Sequence, residues 1–332
     1  MIIQYILYIQ IKEGFNVITD LKVFEQRLLK QSAAMMTLVA VGGTFMGIIS
    51  NSHAILVDGI FSFVAVIIKL LMLTTSKLIS RETSKRFQFG YWQFEPLVLM
   101  AEGGFTLLVV GYAFSSGVLS LINGGNPMNF GLAIYYALFF TAADATYFFY
   151  VRHVNKRLKS NLIYFDNMSW FIDAALSGGL LVSFSIAFLL QFTDYGQYNR
   201  YVDPLILIVL AIQMVPTALN ILTPSVKQIM GVAPMALHNH VQLIMDDFME
   251  RYRFKDYVSS VQEFGNTKII EIDILIGKNY PIQTVVELDR IRNEIDEKIG
   301  FPQYQKWVTI SFTTTKKWMA KDYLLDEKDD DD

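Results

Sequence analysis

Ionisable side chains inside long apolar stretches are the residues of this sequence best suited to chemistry. There are six of them, one or two in each of four such stretches: Asp58, Lys69, Glu102, Asp144, Asp166 and Asp173. A charged group inside an apolar segment is costly, so each of the six is a candidate functional residue. Carboxylates supply the hard oxygen ligands that divalent cations prefer, and the same groups can carry protons. The residue types therefore indicate cation chemistry.

Two of the apolar stretches carry the same spacing of candidate positions. Residues at i, i+3 and i+7 share one face of a helix. In the two stretches these positions hold Asp58, Phe61 and Ala65, and Asp166, Ser169 and Asp173. If the two faces meet, Asp58, Asp166 and Asp173 converge and form a metal site, with Ser169 as a weaker ligand. The alternative is that Asp58 and Asp166 cap or brace backbone groups near the helix ends.

The remaining ionisable candidates have simpler interpretations. Glu102 follows Glu95 by two helical turns and is a weaker metal-site candidate that could face a water-filled cavity. Lys69 is predicted to extend its side chain toward the cytosolic end of its helix. Asp144 lies two turns from Arg152 and is predicted to sit near the cytosolic rim.

The composition places the chain in a membrane. Of 332 residues, 53% are hydrophobic and 18% are charged, whereas soluble domains average about 25% charged residues. The sequence contains no cysteine, which excludes disulfides and thiolate metal sites. It also contains no nucleophile arrangement, phosphate loop or dinucleotide motif. We therefore expect no enzymatic activity, no resident cofactor and no nucleic-acid partner.

The elements that must position the candidates are predicted transmembrane helices. A span needs about 20 mainly apolar residues, and six stretches qualify: 32–50, 54–76, 96–122, 130–151, 166–191 and 204–222. Basic residues precede the first span and follow the second and fourth, whereas the opposite loops together contain only Arg200. Because basic loops stay in the cytosol, both termini are predicted to be cytosolic, in an integral protein of the inner or plasma membrane.

The predicted organisation has four parts. A cytosolic N-terminal segment (1–30), interpreted as an interfacial or mobile extension, precedes an all-α bundle of six transmembrane helices (31–222). In residues 223–318 the apolar residues recur with helical and strand spacing in the order α-β-β-α-β. This order predicts a cytosolic, ferredoxin-like α+β dimerisation domain. The acidic tail (319–332) is predicted to be disordered.

Four short sequences resemble the cation diffusion facilitator family. They are Asn51-Ser-His-Ala-Ile-Leu-Val-Asp58, Phe89-Gly-Tyr-Trp-Gln-Phe-Glu95, Arg157-Leu-Lys-Ser-Asn-Leu162 and Asp203-Pro204. The resemblance extends from about Lys30 to Phe312. It implies a dimer in the lipid bilayer that exchanges a divalent cation such as Zn²⁺, Mn²⁺ or Fe²⁺ for protons, with the metal as transported substrate.

The sequence departs from the family at the expected transport site. That site takes two residues four apart on the second span and two on the fifth, and here these positions hold Phe61, Ala65, Ser169 and Asp173. Only Asp173 is a strong ligand, so the resemblance implies a degenerate site. Asp58 and Asp166, one turn away, are the predicted replacements.

Two functions remain open at this point. The first is metal efflux by a homodimer, by metal–proton exchange through the altered site. The second is a non-transporting subunit that pairs with a related active transporter as a heterodimer and regulates it, as the loss of three expected ligands suggests.

Overall fold

The computed structural model describes residues 2–49, 53–80, 83–125, 130–190, 192–281 and 284–319. At 2–20, 47, 53–58, 60, 130–133, 203 and 304 it describes the backbone alone. The described residues form two compact units, with the boundary between Val226 and Lys227.

The first unit is built from six long helices. They are α1 (Ile2–Ile49), α2 (His53–Ile79), α3 (Phe94–Ile122), α4 (Phe130–Leu158), α5 (Asn161–Leu190) and α6 (Asn199–Ile229), the last preceded by a short 3-10 helix, Gly196–Tyr198. The shortest of the six, α2, has 27 residues. At 1.5 Å per residue it is about 40 Å long, which exceeds the roughly 30 Å of a bilayer's hydrocarbon core.

Four helical stretches in the described part of the chain are long and apolar enough to cross a membrane. They are Phe61–Ile79, Phe94–Ile122, Asn161–Leu190 and Gly196–Ile229. The second, third, fifth and sixth predicted spans therefore have the required length and composition. Together they identify the first unit as a membrane-embedded helical region.

The segment before the first predicted span is not a separate extension. Helix α1 runs without interruption for 48 residues, so residues 2–30 continue the helix of that span. Its described part packs against the far end of α2. Ser76 donates a hydrogen bond to the Glu25 carboxylate, and the Gln26 amide donates to the Ser80 hydroxyl at 3.0 Å. Leu28 and Leu29 are buried beside these contacts. This side-chain packing stabilises the helix well before the apolar run begins.

Helices α1 and α2 approach each other closely at a pair of glycines. A Cβ atom on Gly43 would lie 3.3 Å from the Cα of Gly59, and one on Gly59 would lie 2.8 Å from the Cα of Thr44. Real Cβ atoms essentially never come within 3.0 Å of another heavy atom, and a contact of 3.3 Å is tighter than nine in ten real ones. Small residues allow helix backbones to approach in this way inside a membrane, where dispersion contacts drive helix association.

The second unit contains a small three-stranded sheet and two long helices, which confirms the predicted sheet. The elements are α7 (Met235–Tyr252), β1 (Asp256–Phe264), β2 (Thr267–Leu275), α8 (Val285–Ile299) and β3 (Lys306–Thr313). Strand β2 is central, antiparallel to β1 and parallel to β3. Its alternating isoleucines Ile270, Ile272 and Ile274 are fully buried in a core with α7 and α8. The period-two pattern in the sequence therefore reports a real buried face.

Helix α8 begins later than the sequence pattern predicts. Pro281 and the regularly spaced apolar residues after it predict a helix that starts at Pro281, whereas the helix begins at Val285. Thr284 has extended backbone angles, and its hydroxyl accepts a hydrogen bond from the amide of Glu287 at 3.4 Å. Threonine is a good N-cap residue and its cap fixes the first turn.

The glycine contact between α1 and α2 gives a stability test. Gly59→Ala should lower the free energy of unfolding by about 1–3 kcal/mol, because the added methyl forces the two backbones apart. Gly104→Ala on α3 is the matched control, since a Cβ there meets nothing within 4 Å. Thermal denaturation of the purified protein in detergent measures both. Equal melting temperatures for the two variants would contradict close packing at Gly59.

Candidate functional site

The structure buries several of the predicted carboxylates. Asp166 is 0% exposed and Glu102 is 4% exposed, while Asp173 is partly buried. Asp58 belongs to α2, but its side chain lies outside the described residues. Among the described residues, no group of three or more His, Asp or Glu side chains could hold a metal ion together. The convergence of Asp58, Asp166 and Asp173 therefore stays a prediction.

The strongest contact of the site is an ion pair between α2 and α5. The Lys69 ammonium lies 2.6 Å from Oδ1 of Asp166, and both side chains are excluded from solvent. Our prediction that Lys69 extends toward the helix end was wrong. Lys69 is ten residues before the last residue of α2, a rise of about 15 Å, so a buried carboxylate is a nearer partner than solvent.

A hydrogen-bond network extends this pair to α1. The Ser32 hydroxyl donates to the same Asp166 oxygen at 2.8 Å and accepts from the Trp170 indole N–H, also at 2.8 Å. The Lys69 ammonium lies 4.9 Å from the centre of the Trp170 ring, a cation–π distance. The other carboxylate oxygen of Asp166, Oδ2, is buried and has no hydrogen-bond partner in the described part of the chain.

A second polar contact joins α3 to α5. The Ser169 hydroxyl donates a hydrogen bond to Oε1 of Glu102, and both residues are buried. Glu102 is also close enough to Lys69 and Asp166 to interact electrostatically with both. The structure therefore brings three of the five candidates, Glu102, Asp166 and Ser169, to one region.

The two apolar residues at expected ligand positions on α2 are packed by apolar neighbours. The Phe61 ring makes edge-to-face contacts with Phe105 and Tyr112 of α3, at centroid distances of 6.2 and 5.1 Å. Ala65 packs against a buried apolar cluster that includes Met72 and Trp170. These positions on α2 therefore contribute packing and no ligand atoms.

We predicted that Asp144 sits near the cytosolic rim of the bundle, and the structure shows that this prediction was wrong. It is 2% exposed and accepts a hydrogen bond from Ser177 of α5 at 3.0 Å. It lies fourteen residues before the end of α4, about 21 Å along the helix. The hydroxyl of Ser177 satisfies one of its oxygens, which explains how the carboxylate can be buried there.

The sequence analysis missed the partners of the carboxylates, although one signal was present. Lysine inside an apolar span usually pairs with another buried group, and Lys69 is too far from the helix end to be explained otherwise. Ser32 and Trp170 carried no comparable signal, because serine and tryptophan are common in helices of this kind.

The described residues also line a groove of about 490 Å³. It is lined by aromatic, amide and basic side chains of α4 and α5, with Thr217 of α6. Its polar groups come from Arg152, Asn155, Lys156, Tyr164, Asn167 and Thr217. Its described lining holds no carboxylate.

A membrane-embedded helical unit that buries carboxylates is the arrangement expected of an integral membrane protein that handles cations. Residues 29–230 match the family model described as the cation efflux transmembrane domain. Because the match covers more than half of the sequence, the chain belongs to the cation diffusion facilitator family of efflux transporters, as the sequence motifs predicted.

One relative supports this assignment over most of the chain. The manganese efflux system protein MneP of Bacillus subtilis (strain 168) is 20% identical over 284 residues. The aligned region covers 83% of this chain and 94% of the relative. The similarity thus includes residues of the second unit as well as the helical one.

The ion pair predicts a large asymmetry between single and double substitutions. Asp166→Asn should destabilise the protein by about 3–5 kcal/mol, because it leaves the buried Lys69 ammonium without a counter-charge. The double variant Lys69→Met/Asp166→Asn removes both charges at similar volume and should recover most of that loss. Thermal denaturation in detergent measures the difference. A double variant no more stable than Asp166→Asn would show that the pair contributes nothing as a pair.

Proposed function

We propose that this protein exports a divalent metal ion from the cytosol in exchange for protons. The observation that carries the proposal is the Glu102–Ser169 contact beside Asp166, inside a cation efflux domain. Ser169 stands at a position where the family places a ligand, and a carboxylate from α3 reaches it. Glu102 thus supplies the kind of oxygen that Ser169 alone does not.

No three described carboxylates converge in the structure, so the metal site of this proposal requires the predicted carboxylates to move together when the ion binds. Asp173 stands at the family's ligand position on α5, Glu102 and Ser169 contact each other, and Asp58 and Asp166 lie one turn before the expected ligand positions. Oxygen donors without imidazole or thiolate favour harder ions. Among Zn²⁺, Mn²⁺ and Fe²⁺ we therefore favour Mn²⁺, in keeping with the name of the relative from Bacillus subtilis.

The proposed topology follows from the basic loops. All six long helices cross the inner or plasma membrane, with both termini and the 223–318 domain in the cytosol. That domain has a ferredoxin-like fold and serves as the dimer contact of a homodimer, while 319–332 form an acidic tail. Metal ions are substrates in this scheme, and the protein catalyses no covalent reaction.

A second candidate function is a non-transporting subunit that pairs with a related transporter. The observation that favours it is the aromatic contact of Phe61 with Phe105 and Tyr112, which fills an expected ligand position with apolar rings. Such a subunit would stabilise or regulate its active partner. Transport by the purified protein alone separates the two candidates.

The topology can be tested by labelling single cysteines, because the natural sequence has none. Asn123 and Arg157 are exposed at the ends of α3 and α4, and each is replaced singly by cysteine in the variants Asn123→Cys and Arg157→Cys. In intact cells, a membrane-impermeant maleimide should label Asn123→Cys and leave Arg157→Cys unlabelled until the cells are lysed. Labelling of both variants in intact cells would contradict the proposed orientation.

Transport can be tested in proteoliposomes that contain this protein alone. An outward proton gradient should drive Mn²⁺ uptake, followed by a fluorescent Mn²⁺ indicator inside and a pH indicator for the protons. Glu102→Gln and Asp173→Asn should slow uptake by about 10- to 100-fold, as loss of a group at a metal site commonly does. Glu297→Gln, exposed on α8, is the control and should transport at the wild-type rate.

Two results would change the proposal. Wild-type protein that moves no Mn²⁺, Zn²⁺ or Fe²⁺ would support the subunit function instead. Asp58→Ala with intact transport, beside Asp173→Ala without any, would remove Asp58 from the site and leave Asp173 to act with Glu102.

A further inference from the structure

Lys69 places a fixed positive charge among the carboxylates of the proposed site. Its side chain is 2% exposed and its ammonium contacts Asp166, whose side chain is 0% exposed. The ammonium also faces the Trp170 ring and interacts electrostatically with Glu102. Lys69 lies one helical turn beyond Ala65, on the α2 face that the family uses for its ligands.

This charge has opposite consequences for the empty and the metal-loaded site. When no metal is bound, the Lys69 ammonium compensates the charge of the Asp166 carboxylate, which would otherwise be buried without a counter-charge. When a divalent cation is bound nearby, the same ammonium repels it, and repulsion at such short range is strong where the dielectric constant is low.

The two oxygens of Asp166 are used unequally. Oδ1 accepts from both Lys69 and Ser32, whereas Oδ2 is buried without a hydrogen-bond partner among the described residues. Buried carboxylate oxygens normally have a donor or an ion beside them. The free lone pairs of Oδ2 are therefore available to a cation, but that cation would have to bind next to the Lys69 ammonium.

We propose that Lys69 is a tethered cation, a positive charge covalently attached to the protein that neutralises Asp166 in the empty site and weakens the binding of divalent cations there. This inference rests on the proposed function and adds a residue that sets its affinity. Lys69 acts through Asp166 and through its charge, so it is a positioning residue and not a ligand.

A purely structural ion pair makes a different prediction. If Lys69 only held α2 against α5, its replacement would loosen the site and weaken metal binding or leave it unchanged. A tethered cation predicts tighter binding once the charge is removed, even if the protein becomes less stable. The sign of the change in affinity therefore separates the two roles.

The test measures Mn²⁺ binding to the full-length protein in lipid nanodiscs by isothermal titration calorimetry. Lys69→Gln should lower the dissociation constant for Mn²⁺ by about tenfold or more. Lys69→Arg, which keeps the charge, should not tighten binding. Lys77→Gln is the matched control, since Lys77 is exposed near the end of the same helix and its charge is screened.

A second variant keeps the test decisive if Lys69→Gln does not fold. The double variant Lys69→Met/Asp166→Asn is compared with Asp166→Asn, which lacks the same carboxylate, and removal of the ammonium should make the double variant bind Mn²⁺ more tightly by about tenfold or more. Unchanged or weaker binding by Lys69→Gln than by the wild type, or by the double variant than by Asp166→Asn, overturns the inference while the proposed function stands. If neither the wild type nor any variant binds Mn²⁺, both the inference about Lys69 and the proposed function are overturned.

Discussion

Polar side chains in the interior of a membrane helical bundle need partners, and the contact between the buried Lys69 and Asp166 is how this protein meets that constraint. Each helix satisfies its own backbone, so polar side chains in the interior must satisfy one another. Ser32, Lys69 and Asp166 do so across three helices, with Trp170 completing the network. A shift of α1, α2 or α5 along its axis would break at least one of these contacts. The network therefore fixes the relative register of the three helices.

The same constraint shapes the candidate site. Replacing a buried ion pair by apolar residues is often neutral or stabilising, so its presence calls for a reason beyond stability. Here the pair lies beside Glu102 and Ser169, where a cation efflux protein needs carboxylates that are not permanently occupied. Neutralising one carboxylate with a lysine leaves a site with less negative charge. That arrangement suits an ion that must be released as well as bound.

The fold was predictable from the sequence wherever local patterns decide it. The length of the apolar stretches indicates the helices, and the alternating isoleucines of β2 indicate a strand. Both signals depend only on residues that are close together in the sequence. The candidate site was predictable only in its residue types. Lys69 and Asp166 are 97 positions apart, and a single sequence contains no signal that joins them. The same limit explains the early part of α1, whose helical state depends on contacts such as that between Glu25 and Ser76.

The length of α1 has a mechanical consequence. The contact between Gln26 and Ser80 places the end of α2 beside the middle of α1, so residues 2–25 continue past that end. At 1.5 Å per residue this part is about 36 Å long. If α1 is rigid and pivots near Gln26, it would act as a lever, and a small rocking of α1 against α2 would displace Ile2. Movements within the bundle that are too small to see at the ion pair would thus be amplified at the far tip of this arm.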